Sequence, residues 1–247
     1  MKSTILFIII FGGACVVNAQ MYPWDTPTRP GLWDYPVKPD IEEWKQLKSN
    51  VEKVNACQIS EEILLSLPTE DLVILCLKYP LFTDIFYFES LYYGLEKLFS
   101  DFNGIRELYG RKDISDSLIV QYIQKVQSFS YLDEHHSDLE KGLFTMSVSC
   151  LEVLLSRIER RNDSTDNLKE ILQCLVAGYE AKCKYPDYFK GTGFRINFFA
   201  RGHVISKMDQ SLIKRLPQKE NSAVLFSGRA DEASIVVIDE LSYQIIK

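Results

Sequence analysis

The densest grouping of side chains able to do chemistry is Asp133-Glu134-His135-His136, with Asp138 and Glu140 close behind. Imidazole and carboxylate groups are zinc ligands. If the following helix began early, His136 and Glu140 would share one of its faces, because residues four apart stack along a helix. The ordered HExxH spacing of helical zinc hydrolases is absent, however. Acids also collect at a helix start for a simpler reason, the positive end of the helix dipole. The quartet is therefore read as a solvated loop over residues 129–137. Asp133, Glu134, His135 and His136 are its weak metal candidates, and no cofactor is expected.

Other chemistries find less support. The chain has six cysteines and three histidines. A catalytic thiol needs a neighbouring base, and no such pairing is visible. Cys76 and Cys174 lie in apolar helical runs and read as small core residues. Cys174 and Cys183 on one helix would be about 13.5 Å apart, beyond the roughly 7 Å limit of a disulfide. Cys57 could bridge only to a distant partner. His203 falls inside a helix and reads as a core or surface residue. Gly191-Thr192-Gly193 lacks the third glycine and the preceding strand of a dinucleotide motif. Walker and GxSxG motifs are absent. Asp84 and Glu89 cannot be told from ordinary surface acids. The 28 Lys+Arg against 34 Asp+Glu argue against nucleic-acid binding, which calls for a basic excess.

The elements that would position such residues are mostly helices. From Asp40, Ile41, Trp44, Leu47 or Lys48, Val51 and Val54 recur at helical steps. Ser60 caps a helix that stops at Pro68, and Thr69 caps another that Pro80 ends. An aromatic helix is expected over 83–101. A turn of helix follows Asn103-Gly104. Asp113 or Ser115 opens the next, with Leu118, Ile119, Tyr122, Ile123 and Val126 as its stripe. A long helix is expected over 138–160, its stripe including Leu139, Leu143, Cys150 and Leu154. Further helices are expected from Thr165 or Asp166 to near Lys184, over 194–207 and over 209–216. The runs Ala223–Phe226 and Ser234–Ile238 read as two strands. Lys78-Tyr79-Pro80 echoes Lys184-Tyr185-Pro186, each closing a cysteine-bearing helix. The expected fold is mainly all-α: an irregular α-α superhelix of HEAT-like stacked helix pairs, with a short C-terminal two-stranded β segment.

The N-terminus reads as an address. One cation at Lys2, an uncharged run from Ile5 to Val17 and small residues before Gln20 make a secretory signal. Cleavage is expected after Ala19, and lipidation at Cys15 is the weaker alternative. No later segment approaches the length of a membrane span. Four units follow: a signal peptide at 1–19, a proline- and aromatic-rich arm at 20–39, a helical domain at 40–217 and the β segment at 218–247. The arm is expected to lie on the body of the protein. Its Trp24, Trp33 and Tyr35 are the candidates for gripping a sugar ring or a partner.

The words Cys57-Gln58-Ile59-Ser60-Glu61-Glu62-Ile63-Leu64, Leu67-Pro68-Thr69-Glu70-Asp71-Leu72, Cys76-Leu77-Lys78-Tyr79-Pro80-Leu81 and Asp101–Tyr109 resemble a group of uncharacterised secreted proteins of Bacteroidota-type bacteria. The resemblance implies export and carries no activity, so no catalytic residue follows from it. The expected function is an exported, non-catalytic helical interaction module with a protein or envelope partner. The alternatives are a polymer-directed hydrolase, or the helical part of a larger secreted enzyme.

Overall fold

The computed structural model describes residues 32–39, 41–89, 91–160, 165–213 and 232–247. The chain order begins with α1 (Glu42–Gln46), α2 (Asn50–Ala56), α3 (Glu61–Ser66) and α4 (Thr69–Leu77). A 3-10 turn, Phe82–Tyr87, precedes α5 (Leu91–Asp101), α6 (Asn103–Gly110) and α7 (Ile114–Gln127). A second 3-10 turn, Phe129–Asp133, leads to α8 (Asp138–Ser156) and α9 (Asp166–Lys182). Then come α10 (Pro186–Phe189), α11 (Thr192–Met208), α12 (Gln210–Ile213) and α13 (Glu232–Ile246). The fold is mainly helical, with no strand among the described residues.

Local chemistry explains several of these ends. Ser137 and Glu140 form a reciprocal capping box at α8, and Ser49 and Glu52 do the same at α2. Each box satisfies two backbone donors that a helix start leaves orphaned. The α2 box also splits the single helix expected from residue 41. Ser49 starts a new helix, and Val51 is left exposed rather than on a buried face. Arg111 works at the other polarity. Its guanidinium donates to the Leu67 and Leu64 carbonyls at 2.5 and 2.6 Å, which the C-terminal end of α3 cannot satisfy internally.

Packing centres on α8. Helices α7 and α11 lie against it, α9 packs on both α7 and α11, and α4 joins α6 and α7. Residues 147–156 of α8 are buried on every side, as are 71–77 of α4, the pattern of a helix enclosed by neighbours. Leu139, expected on the α8 stripe, lies on an exposed first turn. Helix α13 closes the far end on α9 and α11, burying Ser234, Ile238, Leu241 and Ser242. No helix among the described residues is long and apolar enough to cross a membrane.

The expected strand at Ser234–Ile238 is corrected to helix. Its β-branched run favours a strand locally, yet residues 234, 238, 241 and 242 recur at helical spacing on the buried face. Tertiary burial therefore outweighs a propensity difference of a few tenths of a kcal/mol per residue. The aromatic helix expected over 83–101 is a 3-10 turn followed by α5, and part of the 129–137 loop is itself a 3-10 turn. Residues 223–226, the segment around Ala19, Cys15 and Trp24 lie outside the described residues.

Candidate functional site

The break between the 3-10 turn and α5 creates a cleft of about 270 Å³. Gly94 of α5 meets the Ile85 backbone directly; a Cβ there would lie 2.8 Å from Ile85 Cα and 2.9 Å from its carbonyl carbon. Only glycine allows that approach. The cleft's apolar lining comes from Val54, Ile85 and Leu98, and its polar lining from Tyr79, Asp84, Lys97 and Asp101. Tyr87 and Phe88 complete it, and they are 84% and 42% exposed. Single exposed apolar residues are ordinary; here two adjacent aromatic residues are exposed at the edge of one cleft.

Tyr79 is the deepest polar group in this lining. It is 4% exposed, its ring stacks on Phe102 at 4.0 Å, and its hydroxyl has no hydrogen-bond partner among the described residues. Burial holds its pKa up, and the Asp101 and Asp84 carboxylates add to the effect. Asp84 is half-buried. Burial raises its pKa and the Lys53 charge partly offsets that. Asp101 pairs with Lys97 at 2.7 Å.

The candidates read from sequence are distributed elsewhere. His136 Nε2 lies 3.0 Å from Glu134 Oε2, and its ring stacks on Tyr131 at 3.7 Å. Asp133 accepts from the Tyr185 hydroxyl at 3.2 Å. Glu140 is occupied in the α8 cap. His135 is exposed. The quartet is thus drawn into separate local contacts, and no group of three metal-type ligands converges among the described residues. In the arm, Trp33 packs edge-on against Tyr35 at 4.9 Å. Tyr35 itself is buried and donates to the Leu75 carbonyl at 2.9 Å. This corrects the reading of Tyr35 as an interaction residue: it fastens the arm to α4. The described cysteines are all free, and burial pushes the Cys57 and Cys174 thiols up to about 11, which removes the thiolate that a nucleophile requires.

A second polar grouping, absent from the sequence reading, lies at the centre of the fold. Glu152 of α8 and Lys182 of α9 pair at 2.7 Å with both side chains fully buried. The other Glu152 oxygen accepts from Tyr122 at 2.7 Å and from Asn197 at 2.8 Å. Lys182 also donates to the Gly193 carbonyl at 2.9 Å. Burial pushes the Lys182 pKa down, the Glu152 carboxylate pushes it back up, and Arg201 pushes it down again. Gly178 lets the Tyr122 hydroxyl reach this centre past α9. Nearby, Arg201 is buried over the Tyr179 ring and meets Asp239 of α13 at 2.6 Å. Sealed from solvent, this network ties α7, α8, α9 and α11 to one another through Glu152.

His203 is structural too. The Ser156 carbonyl lies 3.0 Å from Nδ1, and a carbonyl can only accept, so Nδ1 carries the proton. Burial, with Lys207 adding to it, lowers its pKa to about 4. The folded state therefore resists protonation that the unfolded chain accepts near pH 6.5. Stability from this residue is full above pH 6.5 and is lost as the pH falls towards 4. Melting temperatures recorded from pH 7 to pH 4 are expected to fall more steeply for the native chain than for His203→Gln. Parallel curves would show that His203 does not titrate in this range.

No protein-family model matches the chain, and neither a curated protein nor a solved structure is found to be similar to it.

Proposed function

We propose that this chain is an exported, non-catalytic interaction module that binds its partner through the cleft beside α5. The observation that carries the reading is the pair of exposed rings, Tyr87 and Phe88, flanking a cleft whose walls are held by a glycine contact. Aromatic side chains are prominent among the residues that carry binding energy, and these two are exposed beside the cleft. The other titratable groupings serve structure: Glu152 and Lys182 are sealed, and Glu140 caps a helix. The resemblance to secreted proteins of Bacteroidota-type bacteria supports export, as does the signal-like N-terminus. On this reading the successive helices form an irregular superhelix of stacked pairs, an architecture suited to presenting a binding face.

The test is capture. The chain from Gln20 onwards, immobilised, is exposed to an envelope extract of the producing cell. Native protein is expected to retain a component that Tyr87→Ala/Phe88→Ala loses, with both proteins equally stable. Identical retention by the two would sink the reading.

A further inference from the structure

We propose that the cleft between the first 3-10 turn and α5 takes a cationic side chain, lysine or arginine, presented by a basic segment of a partner protein. The proposal rests on the binding role given above to this cleft and names the chemistry of its partner. Charge carries it first. The lining holds two carboxylates, Asp84 and Asp101, and one ammonium, Lys97. Asp101 is already occupied, accepting from Lys97 at 2.7 Å and from Ser100 at 2.9 Å. Asp84 is left over. No hydrogen bond or ion pair reaches its carboxylate among the described residues. Lys53 acts on it only from beyond ion-pair reach, its ammonium lying over the Trp44 ring at 5.3 Å from the centroid. Burial raises the pKa of Asp84, because a carboxylate short of water disfavours its own charge. A cation in contact with it would supply what the water does not.

The aromatic groups point to the same ligand. Residues three apart in a 3-10 helix eclipse one another, so Asp84 and Tyr87 stand on one side of the turn, with Phe88 next to them. Ring faces attract cations, guanidinium above all, and the carboxylate adds the charge. The surroundings favour a polypeptide over a small cation. Val51 lies one turn before Val54 on α2, Tyr93 lies one turn before Lys97 on α5, and both are exposed. A small cation would fill at most the cleft's 270 Å³ and leave these groups uncovered. A peptide with apolar residues flanking its cation covers them, and aromatic residues and arginine are what protein interfaces enrich. The whole chain, with 34 acids against 28 bases, draws a basic partner at long range.

Panning a random heptapeptide display library against the purified chain is expected to enrich sequences with a lysine or arginine beside an apolar residue. The leading peptide, dye-labelled, is then titrated by fluorescence anisotropy. Asp84→Asn is expected to weaken its binding about tenfold, the effect of losing one hydrogen bond between charged groups, with the melting temperature unchanged or raised. Replacing the peptide's cationic residue by norleucine is expected to cost as much, and Tyr87→Ala is expected to weaken binding as well. Lys97→Gln works in the other direction. It frees Asp101, so binding is expected to tighten severalfold, a gain that loss of fold cannot imitate. Enriched peptides without a cation, or binding indifferent to Asp84→Asn, would overturn the charge assignment. Spermidine displacing the peptide at equal concentration would overturn the polypeptide partner. If no peptide is enriched but envelope capture still depends on Tyr87 and Phe88, the partner chemistry is wrong and the binding role stands. If neither occurs, both fall.

Discussion

Lys182→Met is expected to cost about 3–5 kcal/mol of folding stability, the range found when one partner of a buried ion pair is removed. The ammonium is the only cation in contact with Glu152 among the described residues, and both side chains are fully buried. Methionine has nearly the right length but leaves the carboxylate with only two neutral donors, Tyr122 and Asn197. The size of the effect comes from the charge left behind rather than from the lost attraction. That distinction can be measured. Glu152→Gln added to Lys182→Met removes the charge while its amide oxygen still accepts from Tyr122 and Asn197. The double variant is expected to regain at least about 2 kcal/mol over Lys182→Met alone, a coupling typical of contacting residues. Urea unfolding with a shared slope reads both numbers. A Lys182→Met chain within about 1 kcal/mol of native would show that water reaches the pair and that the network does not specify the core.

The same residues show where sequence reading ends. Lys182 follows Leu168, Ile171, Leu172, Leu175 and Gly178 at helical spacing, all buried on one face of α9. A charge continuing an apolar stripe is the available signal. Asn197 and Arg201, four apart among buried residues of α11, repeat it. No single helix, however, says which other helix holds the opposite charge. Glu152 and Lys182 are thirty residues apart, and their pairing exists only once α8 and α9 meet. Helices α3, α4, α7, α9 and α11 were legible because prolines and periodicity are local, although Ser60 and Thr165 make no side-chain cap bond and Thr69 is the first residue of α4 rather than its cap. Helix α13 was not. Its β-branched run points the wrong way, and only its seat on α9 and α11 decides.

The cleft was hidden for a related reason. Four of residues 82–88 are aromatic and a fifth is Ile85, so they fit a buried helix as readily as an irregular turn. Asp84 looked like any surface acid. The signal that could have separated them is Gly94, a glycine inside an apolar helical run, which marks close backbone approach at the cost of helix propensity. Trp33 and Tyr35 drew attention instead because tryptophan and proline crowd the arm, yet Tyr35 is spent on anchoring it to α4.

Gly94→Ala tests that signal and ties fold to site. The added methyl meets the Ile85 carbonyl, Cα and carbonyl carbon. All are backbone atoms, so no flexible side chain can turn aside. Overpacking costs roughly 1–3 kcal/mol and occasionally more, and a backbone obstruction belongs at about 3 kcal/mol. Gly142→Ala is the opposing control. That glycine lies inside α8 with nothing within 4 Å of its added methyl, so alanine is expected to stabilise by about 0.5–1 kcal/mol. The two substitutions thus share a chemistry and differ in sign. At the site, relieving the Gly94→Ala clash forces the 3-10 turn away from α5, carrying Asp84, Tyr87 and Phe88 with it while Lys97 and Asp101 stay on α5. Ligand capture is then expected to vanish in chains that circular dichroism at low temperature shows to be folded. Retained capture with a 3 kcal/mol loss would separate binding from this contact. Native stability would instead show that α5 can shift, and that the glycine does not set the cleft's shape.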